Sequence, residues 1–221
     1  ALYLAAEEGC KEIIQLGDFG FVWHQANLID YISTLCERYG VTLRFIDGNH
    51  DEHNWLDAMM VSHPQHLPLQ LTDRVIYQPR GSTYTDEDGT RFLFCGGAPS
   101  IDKAHRTPNK SWWEQETITE DQYQFALSAR GPFDALVTHD APEVQPGYGP
   151  NGTPEFQILG KRSMEMVAGL VEHHKPALHV HGHWHCFYER VTTHGDYEQT
   201  RHVGLASNLQ TLGKASLLWS R

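Results

Sequence analysis

Val41-Thr-Leu-Arg-Phe-Ile-Asp-Gly-Asn-His-Asp51 sets the architecture. Its first six residues form a mainly apolar run, and the run stops at a segment of turn-forming residues with oxygen and imidazole donors. This is the pattern of a buried strand that delivers polar side chains at its carboxyl end. Upstream, Glu12-Ile-Ile-Gln-Leu16 closed by Gly17-Asp18 reads the same way. Between them, a stretch from about Gln25 to Arg38 carries Leu28, Ile32 and Leu35 on one face, with Gly40 just beyond its end, and predicts a helix. Strand, helix, strand in that order predicts a parallel βαβ unit with its loops at the carboxyl ends of the strands. Ala1 to Glu8 reads as the end of a helix stopped by Gly9.

Further along, strands are predicted at Val75–Gln78, Arg91–Cys95, Ala135–Thr138 and Ala177–His181, and helices at Glu120–Ser128 and Gly160–His174. Pro142–Pro154, rich in Gly and Pro, reads as a long loop that could form a rim or lid carrying Tyr148. After His185 the pattern becomes antiparallel: Phe187–Thr193, a turn at Gly195-Asp196, then Gln199–Leu205 and a last strand at Ala215–Trp219. No repeat or linker interrupts this order, so residues 1–221 are expected to form a single α/β domain.

The 221 residues carry 17 Lys and Arg against 28 Asp and Glu, a net charge of −11. That balance argues against a protein that grips long nucleic acid through its phosphates. A small anionic substrate remains compatible, because bound metal cations reverse the local field. No apolar run reaches the ~20 residues that span a bilayer. Cys10, Cys36, Cys95 and Cys186 are scattered and show neither a disulfide framework nor a thiolate zinc site. The chain has 15 histidines, which raises the expectation of a metal site without locating it.

Four clusters fall at predicted strand ends: Gly17-Asp18, Gly48-Asn49-His50-Asp51, Thr138-His139-Asp140, and His181-Gly182-His183-Trp184-His185. Singly, each has an ordinary reading as a turn, a helix cap or a hydrogen-bonded histidine. Together, on one edge of a sheet, they can converge on a single crevice. Carboxylate, carboxamide and imidazole donors suit Mn²⁺, Fe or Zn²⁺.

In this order the clusters resemble the calcineurin-like metallophosphoesterases, whose pattern runs D-x-H, G-D, G-N-H-D/E, a lone histidine, then G-H-x-H. The resemblance implies two mixed β-sheets packed as a sandwich flanked by helices, with two divalent metals, Mn²⁺ favoured, above the strand ends. It implies that Asp18 bridges both metals, that Asn49, His139 and His183 complete one, and that His185 serves the other. His50 would stand beside the substrate phosphate and Asp51 would orient it. The implied reaction is hydrolysis by in-line attack of a metal-bridging hydroxide, with His50 protonating the departing oxygen.

The D-x-H pattern is absent, and in the family it would precede the helix at Ala1. We expect a chain that begins downstream of this motif rather than a lost metal position, because losing a central strand would leave the Glu12–Leu16 backbone unpaired. His24, Asp47 and His53 are weaker candidates to substitute for it. The branch of the family acting on phosphoserine and phosphothreonine reads G-D-x-x-D-R-G and G-N-H-E. Here the chain reads Gly17-Asp-Phe-Gly-Phe-Val-Trp-His24 and ends its second motif in Asp51. The G-N-H-D form resembles small bacterial and phage members, which implies small phosphodiesters, including cyclic or 2′,3′-cyclic nucleotides. The alternatives are a phosphomonoesterase of the same fold and a non-catalytic scaffold lacking one metal position. Gly96-Gly97, Arg106, Trp112 and Trp113 could line a substrate pocket; equally, the tryptophans could cover the core while Arg106 pairs with a surface carboxylate. The default location is the cytoplasm.

Overall fold

A computed structural model describes residues 1–20, 26–61, 63–64, 67–143, 154–195, 198–207 and 217. His24, Tyr148, Asp196, most of the Pro142–Pro154 loop and nearly all of the strand read at 215–219 lie outside the described residues.

The elements run α1 (Leu2–Glu7), β1 (Glu12–Gln15), α2 (Ala26–Tyr39), β2 (Thr42–Phe45), α3 (His53–Met60), β3 (Leu69–Gln70), β4 (Val75–Tyr77), β5 (Thr83–Thr85), β6 (Arg91–Cys95), α4 (Glu120–Leu127), β7 (Ala135–Thr138), α5 (Pro154–His174), β8 (Leu178–His181), β9 (Tyr188–His194) and β10 (Glu198–Gly204). Short 3₁₀ turns sit at Lys103–His105 and Glu114–Glu116. They form two sheets, ordered β1-β2-β4-β3 and β5-β6-β7-β8-β10-β9. In the first, β1, β2 and β4 are parallel and β3 is antiparallel to β4. In the second, β6, β7, β8 and β10 are parallel, with β5 and β9 antiparallel at the two edges. Both sheets are mixed and helices flank them, as expected.

Period-2 alternation divides the second sheet between two cores. Phe92, Phe94, Ala135, Val137, Leu178, Val180 and Val203 pack with Ile46, Ile14 and Leu16 of the first sheet, filling the space between the sheets. Leu93, Cys95 and Leu136 face the other way, against Ala126 of α4 and Met166, Val167, Leu170 and Val171 of α5. The spacing of those α5 residues is the i, i+1, i+4, i+5 stripe of a helix lying on a sheet. A third cluster packs Phe45, Val75 and Tyr77 under α2 and α3, with Trp113 among them. α4 starts at a capping box: Gln122 N–H donates to the Thr119 hydroxyl and the Gln122 side chain accepts from Thr119 N–H.

Three short elements escaped the sequence reading: α3, β3 and β5. α5 also begins at Pro154, inside the stretch read as loop. Among the described residues, no helix is long and apolar enough to cross a membrane.

Candidate metal centre

The sequence clusters sit where parallel strands end. Gly17-Asp18 follows β1, Gly48 to Asp51 follows β2, Gly96 to Ser100 follows β6, His139-Asp140 follows β7 and Gly182 to His185 follows β8. Hydrogen bonds between these loops, within and between the two sheets, draw the ends together. His139 Nδ1 donates to Leu16 O (2.5 Å), Gly97 N–H to Asp47 O (2.8 Å) and Gly182 N–H to His139 O (3.2 Å).

The bond from His139 to Leu16 fixes the imidazole tautomer: with the proton on Nδ1, Nε2 presents a lone pair. That lone pair faces two oxygens, Asn49 Oδ1 at 3.2 Å and Asp18 Oδ1 at 3.4 Å. Three acceptors converging in this way require a positive charge among them. Burial pushes the His139 imidazole down, but the Asp18 carboxylate overrides it and pulls the ring up to about 9. A divalent cation meets the same demand with His139 neutral. Ligand atoms about 2.1 Å from a metal lie about 3.0–3.4 Å from one another in octahedral or tetrahedral shells, which matches these separations. The donor set therefore fits one metal.

His183 lies beside this group, its ring centroid 5.1 Å from that of His139, and burial pushes its imidazole down to about 4, a neutral ring suited to ligation. His185 is exposed at the edge of the site and bonds to no described residue. Among the described residues, no three His, Cys, Asp or Glu side chains lie close enough to hold a metal by themselves. The third atom of the convergence is the Asn49 carboxamide oxygen.

The backbone here is strained. Asp18, His183 and His185 have φ of 56°, 60° and 55°, three of the five non-glycine residues with positive φ among the described residues. Such residues persist where the surroundings over-determine them, and they cluster at functional sites. Gly17 (φ 92°) leaves room for His139: a Cβ there would stand 2.3 Å from Nδ1. His139 is buried and bonded, so it cannot move aside. Gly17→Ala is expected to cost about 2–4 kcal/mol, the sum of overpacking and a left-handed alanine, read as a lower urea midpoint with Mn²⁺ affinity falling alongside.

Asp51 acts differently from the expectation that it orients His50. Its carboxylate accepts from three backbone N–H groups: Gly48 (2.8 Å), Asp18 (3.0 Å) and Gly20 (3.1 Å). It therefore clamps the loop after β1 to the loop after β2. Burial and then the Asp18 carboxylate push its carboxyl up to about 7, against the Gly48 N–H that favours the anion. His50 N–H donates to Asp18 Oδ1 (2.8 Å), while its ring meets Arg106, with Nη1 2.7 Å from Nδ1 and Nη2 3.0 Å from Nε2. A neutral imidazole accepts at one nitrogen only, so one of these contacts is a hydrogen bond. Arg106 is held in turn by Asp102 Oδ1 (2.6 Å) and Ser111 O (3.0 Å). Arg106 pairs with the Asp102 carboxylate, one of its two sequence readings, and the rest of its guanidinium meets the His50 ring.

Other residues have structural work. Asp47 is not a turn residue: its buried carboxylate pairs with Arg80 (2.7 Å) and accepts from the Tyr77 hydroxyl (2.9 Å). Gly96 and Gly97 make room for that pair, since Cβ atoms there would meet Asp47 O at 2.5 Å and Arg80 Nη2 at 2.5 Å. His53 is buried against Gly48 O (3.0 Å). Trp113 is core, whereas Trp112 donates its indole N–H to Glu116 Oε1 (2.9 Å) with the Lys103 ammonium over its ring. Sequence reading missed Asp140 as a strut: it accepts from Trp184 Nε1 (2.9 Å), Ala141 N–H (2.8 Å) and Ser163 Oγ (2.6 Å), tying the His183 loop to α5.

The calcineurin-like phosphoesterase family matches residues 2–187, most of the chain. The chain belongs to this family. Calcineurin-like phosphoesterases are hydrolases of phosphate esters that use divalent metals, generally in a dinuclear centre, and this chain is an enzyme of that class. Among solved structures, TT1561 of Thermus thermophilus is similar at a TM-score of 0.50 and 14% identity, over 93% of this chain and 80% of that one. GAP50, the anchor in the inner membrane complex of Plasmodium, aligns at a TM-score of 0.46 and 16% identity, over 99% of this chain and 68% of that one. No curated protein sequence matches. The Thermus structure supports the phosphoesterase fold and nothing finer.

Proposed function

We propose that this calcineurin-like phosphoesterase hydrolyses small phosphodiesters, among them cyclic or 2′,3′-cyclic nucleotides. Asp18, Asn49, His139 and His183 hold one divalent metal and His185 contributes to a second, with Mn²⁺ favoured. The observation that carries this reading is the convergence of three lone-pair donors, Asp18 Oδ1, Asn49 Oδ1 and His139 Nε2, with His50 and Arg106 alongside. When bound, the metals activate water and neutralise charge on the phosphoryl oxygens.

The chain's own groups account for the remainder. Arg106 offers a guanidinium to a phosphoryl oxygen. Asp102 already offsets part of its charge, which suits a diester with one negative charge better than a dianionic monoester. His50 is the proton donor to the departing oxygen. Asp51 positions both loops that carry metal-holding residues. Trp112 is the second residue assigned to substrate binding, through its ring, since its N–H is committed to Glu116. The four cysteines are free thiols, which suits a reducing compartment, and the cytoplasm is part of the same reading.

A substrate panel in Mn²⁺ tests the specificity: bis(p-nitrophenyl) phosphate, p-nitrophenyl phosphate, and 2′,3′- and 3′,5′-cyclic AMP. The diesters are expected to show kcat/KM at least about tenfold above the monoester, roughly the 1.4 kcal/mol expected of one misfitted charge near a protein surface. The reverse ranking would make the protein a phosphomonoesterase.

A further inference from the structure

We propose that Glu116 is a positioning residue of the metal centre: acting through Ser100, it dictates which atom of the Asn49 carboxamide faces the metal. This rests on the reading of Asp18, Asn49 and His139 as metal-holding residues.

The geometry is a short chain of hydrogen bonds that leads away from the site. Asn49 Nδ2 donates to Ser100 Oγ (3.0 Å), and Ser100 Oγ donates to Glu116 Oε2 (2.9 Å). The same carboxylate accepts from Ser100 N–H at Oε1 (2.6 Å) and from Trp112 Nε1 at Oε1 (2.9 Å). A carboxamide can turn over with almost no change of shape, so only its hydrogen-bond partners decide where the oxygen points. Ser100 has one hydroxyl proton. With that proton on Glu116, the hydroxyl can only accept from Asn49, so the NH₂ faces Ser100 and Oδ1 faces His139 Nε2, 3.2 Å away. If the proton were free, Ser100 could donate to Oδ1. The carboxamide would then turn its NH₂ toward His139 Nε2, satisfying that lone pair and presenting N–H where a cation needs an oxygen.

Glu116 is suited to this task. It is 2% exposed and has no ion-pair partner among the described residues. A buried carboxylate without a counter-ion is a costly element for the fold alone. Every group facing it is a donor, which fixes the polarity of the whole chain. Its backbone is anchored separately, because Arg80 Nη2 donates to the carbonyls of Gln115 (2.8 Å) and Glu116 (3.0 Å). Glu116 lies outside all four sequence clusters.

The test is Mn²⁺ titration calorimetry on the purified protein at pH 8, above the value of about 7 to which burial pushes the Glu116 carboxyl, with a thermal melt of the metal-free form beside it. Glu116→Gln keeps the volume but places an NH₂ against Ser100 Oγ, which reverses the polarity. It is expected to weaken Mn²⁺ binding about 10- to 100-fold, as loss of outer partners of metal ligands does. Ser100→Ala should weaken it comparably, Ser100→Thr should retain affinity, and the Glu116→Gln/Ser100→Ala double variant should bind no worse than the weaker single, because the two act in series. Mn²⁺ affinity within twofold of wild type in Glu116→Gln, whatever its melting temperature, overturns the proposal. If Glu116→Gln does not fold, equal affinities of Ser100→Ala and Ser100→Thr overturn it instead. A wild-type protein that binds no Mn²⁺ fails earlier, taking the reading of the metal-holding residues with it.

Discussion

His50→Ala is expected to lower kcat on a phosphodiester by about 10²- to 10⁴-fold, the range for loss of a general acid, while leaving Mn²⁺ affinity within a few-fold of wild type. The separation follows from how His50 is used. Its backbone N–H holds Asp18 Oδ1, and alanine preserves that bond. Its ring meets Arg106 and reaches none of the metal-holding side chains by a hydrogen bond. Burial lowers the imidazole from its ordinary value and the Arg106 guanidinium adds to this, with the Asp18 carboxylate opposing both. A ring so lowered is the neutral imidazole that accepts from Arg106, and it must take up a proton before it can supply one to a leaving alkoxide. Unchanged kcat would remove His50 from the chemistry. A parallel loss of metal would make it a structural residue.

Arg80→Met is expected to destabilise the protein by about 3–5 kcal/mol, the usual cost of stripping one partner from a buried ion pair. For a chain of this length that corresponds to a fall of roughly 6–20 °C in Tm. The remaining Asp47 carboxylate is 1% exposed and would keep only the Tyr77 hydroxyl. Arg80 also donates to Thr117 O (2.9 Å) and Gln122 Oε1 (2.8 Å), besides the two carbonyls that anchor the Glu116 segment. A measurable fall in Mn²⁺ affinity should therefore accompany the loss of stability. Burial alone would raise the Asp47 carboxyl, but Arg80 overrides it and holds the group below the usual carboxylate range. The pair's contribution is accordingly complete at neutral pH and is lost only as pH falls below the unfolded value of about 3.9 toward the folded one. A Tm within 2 °C of wild type at pH 7 would contradict this account of the pair.

The sequence was informative where chemistry and periodicity coincide. Apolar runs ending in Gly-Asp, Gly-Asn-His, His-Asp and Gly-His-Trp-His located β1, β2, β7 and β8 to within a residue or two, because buried strands concentrate β-branched and aromatic residues and their polar ends interrupt them sharply. The short elements β3 and β5 were illegible, since two or three residues carry no measurable period. α3 was masked by its polar start, His53-Asn54, which reads as a continuation of the donor cluster. The histidine count pointed to metal, but several histidines are structural. His179 meets Thr138 Oγ1 (2.9 Å) and His202 Nδ1 (3.1 Å), His181 meets the Tyr188 hydroxyl (2.6 Å), and His194 meets Glu172 (2.9 Å) and Thr200 (2.9 Å). They lie on β8, β9 and β10, where an imidazole fills space and bonds to its neighbours. Partner choice was the other blind spot. Asp51 and Arg106 were picked out for their chemistry, yet that Asp51 clamps two loops while Arg106 meets His50 depends on contacts 31 to 56 residues apart in sequence. Glu116 carried no local signal at all, because its significance lies in Ser100 and Trp112 facing it.

The most direct measurement is hydrolysis of bis(p-nitrophenyl) phosphate by the purified protein, first stripped with EDTA and then titrated with Mn²⁺, alongside Asn49→Ala. The account predicts no turnover after stripping, recovery with Mn²⁺, and loss of that recovery in Asn49→Ala. Turnover that survives EDTA, or recovery that is indifferent to Asn49, would contradict a metal-dependent phosphodiesterase built on Asp18, Asn49 and His139.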